Sequence, residues 1–61
     1  MNEFKRFRET LGLTIAEMAL KIGISKSYLE KLETGYKKPS RNVMCKIKAQ
    51  YPQFDMNFFL E

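Results

Sequence analysis

Histidine and tryptophan are missing from these 61 residues, cysteine occurs once, proline twice and glycine three times. Each shortage removes a class of protein. Without histidine the commonest general base and metal ligand is gone, and Cys45 alone leaves zinc no plausible ligand set. A single cysteine also forbids an internal disulfide, so packing must hold the core. No clustered carboxylate pair or phosphate-cradling glycine loop is present, and neither serine nor cysteine has a base beside it. These gaps argue against an enzyme, and no metal or cofactor is expected. No apolar run is long enough to span a membrane and no signal-peptide core follows Met1, so the expectation is a cytoplasmic protein. No segment alternates with period two, which predicts an all-α fold without a sheet. At this length one domain is expected, burying roughly 60% of its unfolded surface.

The few glycines are placed where helices should stop. Thr14 is a good N-cap, Glu17 lies three residues on to complete a capping box, and Leu13 and Met18 sit in staple positions. Ile15, Met18, Ala19 and Ile22 then make one apolar stripe at helical period, and Gly23 ends it. Ser25 repeats the device with Ile24 and Leu29 as its staple, and Gly35 supplies the stop. Before these, Phe4, Phe7 and Leu11 form the stripe of a first helix starting near Asn2 and ending at Gly12. Pro39-Ser40 opens a fourth helix with Met44, Ile47 and Tyr51 inward and Val43 beside them, closed by Pro52. Asp55, between Phe54 and Phe59, caps a short fifth. The boundaries read as 2–11, 14–22, 25–34, 40–50 and 55–60 within a single domain, 1–61.

The second and third helices, joined by a tight glycine turn, have the layout of a helix-turn-helix. In that arrangement the second helix lies in the major groove of DNA and its N-terminal residues face the base edges. Leu29 and Leu32 must point inward, leaving Lys26, Ser27, Glu30 and Lys31 outward. The two lysines can donate to guanine, Ser27 can bond to several bases, and Glu30 can accept from a cytosine amino group. Tyr28 stands at the border with three uses open: packing on the fourth helix, donation to a phosphate, or contact with a thymine methyl. Phosphate contacts are expected from Thr14 and Ser25 at helix N-termini and from Tyr36, Lys37, Lys38, Ser40 and Arg41. The net charge of the chain is +4. From Ser25 to Arg41 five basic side chains stand against two acidic ones, so most of the excess falls on this segment.

The stretch Leu13-Thr14…Glu17-Met18-Ala19…Ile22-Gly23-Ile24-Ser25-Lys26-Ser27…Leu29…Leu32-Glu33-Thr34-Gly35…Lys38-Pro39-Ser40 resembles the Cro and cI repressor type of helix-turn-helix, the XRE family. The resemblance covers almost the whole chain. It implies a compact, lambda-repressor-like five-helix bundle with the motif formed by helices 2 and 3, and binding to a double-stranded DNA operator, usually as a homodimer. A repressor of phage or mobile-element type is the expectation that follows. The family also pairs an arginine near the end of the first helix with the glutamate before the glycine stop, here Arg8 and Glu33. One match fails: the glutamine that commonly follows the capping threonine is Ile15, which cannot donate to a phosphate and is available to the core instead.

A different reading stays open, in which the same bundle is a protein-interaction module, an antitoxin or anti-repressor. The C-terminal run bears on it. Phe58 and Phe59 point about 100° apart on a helix, so one can remain outside the core and, with Leu60, offer a dimer surface. The plainer alternative is that a longer repressor covers these residues. The other aromatics sit at core spacing, so base stacking is not their expected use. Cys45 is expected to be a small buried or half-buried residue, with nothing nearby to activate a thiolate.

Overall fold

A computed structural model describes residues 3–60, the last by its backbone alone; the expected helix start at Asn2 and the Leu60 side chain lie outside the described residues. Four α-helices follow one another: α1 (Glu3–Thr10), α2 (Ile15–Ile22), α3 (Lys26–Thr34) and α4 (Arg41–Gln50). A 3-10 turn, Met56–Leu60, comes last, so the expected five-helix bundle is a four-helix bundle closed by a turn. Five residues cannot build an i→i+4 ladder of any length. Asp55 starts the turn in a tighter way, accepting from the Asn57 N–H at 2.9 Å through its side chain and from the Phe58 N–H at 3.3 Å through its carbonyl. No strand occurs among the described residues.

The helix ends are set by local chemistry. Thr14 accepts from the Glu17 N–H at 3.1 Å while the Glu17 carboxylate accepts from the Thr14 N–H at 2.8 Å, a complete capping box. Gly23, at φ +92°, ends α2 in the left-handed region, and the Ala19 carbonyl takes both its N–H and that of Ile24. At the end of α1 the Gly12 N–H reaches the Glu9 carbonyl and the Leu13 N–H reaches that of Arg8, a Schellman pair. Ser25 and Ser40 cap α3 and α4 through the N–H groups of Tyr28 and Val43.

The core draws on every element. Phe4 of α1, Met18 of α2, Leu29 of α3 and Ile47 of α4 are fully buried, each contributing roughly 1.5–3 kcal/mol of apolar transfer. Both α3 and α4 pack against α2. Six rings, Phe4, Phe7, Tyr51, Phe54, Phe58 and Phe59, make a cluster of tilted and edge-on contacts with centroids 5.0 to 6.1 Å apart, the geometry that ring quadrupoles prefer. This cluster joins α1 to the end of α4 and the 3-10 turn. Phe54 and Phe59, the expected staple, are buried 5.9 Å apart.

Three expectations about the core need correction. Leu11 is 39% exposed, because α1 ends at Thr10 and Arg8 takes the inward position that a purely apolar stripe would have filled. Met44 is half-buried, since Val43, Ile47 and Tyr51 at i, i+4 and i+8 form the inward line of α4. The same line puts Cys45 on the far side of the helix, where it is exposed.

Candidate nucleic-acid interface

The outward face of α3 is set by two inward leucines. With Leu29 and Leu32 buried, Lys26, Ser27, Glu30 and Lys31 are all exposed. They extend from the N-terminal turn, where the helix dipole is positive, along one side of α3. Glu30 stands at the flank of this set, lining with Lys5, Arg6 and Ile15 an open groove between α1 and α3.

α3 is tied to α1 by the pair carried over from the family resemblance. Arg8 Nε–H donates to Glu33 Oε2 at 2.7 Å and its Nη2–H donates to Oε1 at 3.2 Å, a bidentate fork with both side chains buried. A third bond was not expected from the sequence: Arg8 Nη1–H donates to the Leu13 carbonyl at 2.9 Å. One guanidinium therefore ties together α1, the turn before α2 and the last turn of α3. The hydrogen bond to Glu33 raises the Arg8 pKa above its usual value, against an opposing push from burial.

The expected phosphate contacts fall into two groups. Thr14 and Ser25 are exposed, but their hydroxyls already accept from N–H groups in the first turns of α2 and α3, leaving the hydroxyl protons to donate. The bonds with Thr14 also hold the Glu17 carboxyl below its ordinary pKa, so a fixed negative charge occupies the start of α2. Ile15 is half-buried against the core, as its chemistry suggested. The second group is the segment after α3. Tyr36, Lys37, Lys38, Ser40 and Arg41 are all exposed, with Tyr36 at 77%. Pro39 is the buried residue among them.

Tyr28 is half-buried against the core. Its hydroxyl accepts from the Ser40 N–H at 3.4 Å, and the Lys37 ammonium stands 5.9 Å from its ring centroid. Of the C-terminal residues, Phe59 is buried among the other rings and Phe58 is half-buried. Sequence reasoning missed Leu20, which is 82% exposed on the outer face of α2. The signal was available, because position 20 falls off the 15, 18, 19, 22 stripe.

Two capped helices joined at a glycine turn, locked by a buried ion pair and followed by a basic loop define a helix-turn-helix domain. A helix-turn-helix family model of the XRE, or Cro and cI, type matches residues 4–51, and the chain belongs to that family. The family is one of DNA-binding regulators and is not typically enzymatic. No curated protein and no solved structure matches the chain significantly. No helix among the described residues is long and apolar enough to cross a membrane.

Proposed function

We propose that the domain reads a specific double-stranded DNA operator by laying α3 in the major groove, and that it acts in the cytoplasm as a homodimeric repressor. The observation that carries this reading is the continuity of the exposed face Lys26, Ser27 and Lys31 with the exposed basic segment from Tyr36 to Arg41. A helix that reads bases needs such a flank to hold its register on the phosphates. Lys26 and Ser27, in the first turn, are the strongest base readers of the set. Lys31 reaches a base further along the groove, and Glu30 acts at its edge. Thr14, Ser25, Tyr36, Lys37, Lys38, Ser40 and Arg41 position the backbone. The likeness to Cro and cI supports repression of phage or mobile-element type, and the half-exposed Phe58 ring supports contact between copies at the C-terminal end.

Selection of bound duplexes from a random pool tests this directly. A two-fold symmetric consensus is the expected result, and an empty selection would turn the assignment towards a protein-interaction module. On the selected duplex, Lys26→Ala should cost about 1–3 kcal/mol and relax specificity at one position, whereas Lys38→Ala should weaken all duplexes alike. With about five phosphates neutralised per protomer, log K should fall with log salt at a slope of roughly −4.5. If neither substitution lowers duplex affinity, α3 and its flank are not the interface.

A further inference from the structure

The N-cap residue of a helix has a backbone N–H of its own to satisfy, and Thr14 and Ser40 meet that need differently. In α2 the Glu17 carboxylate accepts the Thr14 N–H, completing the box within one helix. In α4 the equivalent position is Val43, which has no acceptor. The Ser40 N–H donates instead to the Tyr28 hydroxyl, twelve residues back in the chain and on the recognition helix. We infer that Tyr28 is a positioning residue: it completes the cap of α4 from α3 and thereby fixes the basic segment 36–41 relative to the base-reading face.

Two features make this more than a packing contact. The segment between Gly35 and Ser40 has no regular structure, and its side chains at 36, 37 and 38 are exposed. Its anchors are the buried Pro39, a bond from the Lys37 N–H to the Lys31 carbonyl at 3.2 Å, and Tyr28. Tyr28 touches the segment twice, at the Ser40 amide and beneath the Lys37 ammonium. Charge is the second feature. A carboxylate in the box would add a negative charge at the N-terminus of α4 and offset part of the pull of Lys37, Lys38 and Arg41 on a phosphate. The phenol accepts the same bond while neutral and keeps its own proton to donate. The N-terminus of α4 therefore retains its positive potential beside Lys37, Lys38 and Arg41.

This inference rests on the DNA-binding reading, and Tyr28→Phe separates the two because it keeps the ring and removes only the hydroxyl. In the free protein, hydrogen exchange at the Ser40 amide should quicken by about threefold, the low end of what one hydrogen bond contributes. On the selected duplex, affinity should fall by a similar factor for every sequence, and the salt slope should become shallower by about one. Unchanged Ser40 exchange together with an unchanged slope, in a variant beside a wild-type protein that binds DNA, overturns the positioning role alone. A loss confined to one base pair also overturns it and makes Tyr28 a base reader. Failure of the wild-type protein to bind any duplex overturns the DNA-binding reading and, with it, the functional half of this inference.

Discussion

At the scale of single residues, the least comfortable group in the core is the Tyr51 hydroxyl, buried without a hydrogen-bond partner among the described residues. An unsatisfied hydroxyl in such a place costs about 1–3 kcal/mol. Tyr51→Phe keeps the ring beside Phe7 and removes the cost, so it should stabilise the domain by about 1 kcal/mol and raise Tm by roughly 4–8 °C. Thermal unfolding checks this, and a lowered Tm would mean that the hydroxyl has a partner. Burial also raises the Tyr51 pKa above its ordinary value of 10.0. The unfolded chain therefore releases this proton first, and stability declines as pH rises above that value. The variant should lack that part of the alkaline decline. None of this was legible in the sequence, where Tyr51 was one more inward position at helical spacing. Whether a hydroxyl at the end of such a side chain meets an acceptor depends on the packing of α1 against α4. The Arg8 and Glu33 pair was visible only through family resemblance, because no periodicity argument links two charges 25 residues apart.

At the scale of elements the sequence was far more explicit, since caps and stops involve residues within a few positions of each other. Among the described residues, the ends of the α-helices fall within a residue or so of expectation, the start expected at Asn2 lying outside them. The exception is the last segment, where the Asp55 cap and the aromatic staple were found but the short stretch settled into 3-10 geometry. Its form depends on how tightly the turn at 52–54 delivers Phe54 to the core. Gly23 offers a clean test of the local account. A Cβ built there meets nothing within 4 Å, so the cost of a side chain is that of the left-handed backbone itself. Gly23→Ala should lose about 1–2 kcal/mol, and Gly23→Asn less, because asparagine tolerates this conformation. Denaturant titration of the two variants gives the order, and equal stability of both with the wild type would exclude the left-handed cap.

At the scale of the whole molecule, Arg8 and Glu33 fasten α1 to the last turn of α3. Breaking a buried pair costs about 3–5 kcal/mol, and the low end applies in a domain with a radius of gyration of only 10.2 Å, where bulk water is never far away. Arg8→Ala should cost about 3 kcal/mol. Glu33→Ala should cost less, because the guanidinium keeps the Leu13 carbonyl and can extend towards solvent on its long stem. The combined Arg8→Met and Glu33→Leu variant should return to within about 1 kcal/mol of the wild type. Chemical denaturation of the three proteins tests the order, and a double variant no better than Arg8→Ala would refute the isosteric account. The rings of Phe4 and Phe59, 5.3 Å apart, bring together the first and last described parts of the core. Helices that pack mainly on near neighbours in sequence fold in microseconds to milliseconds. Synthesis runs at about 5–20 residues per second, so the 55 positions between these rings take roughly 3–11 s to make. On the ribosome, Phe4 must therefore wait thousands of folding times for its partner, and translation rather than folding sets when this domain becomes able to act.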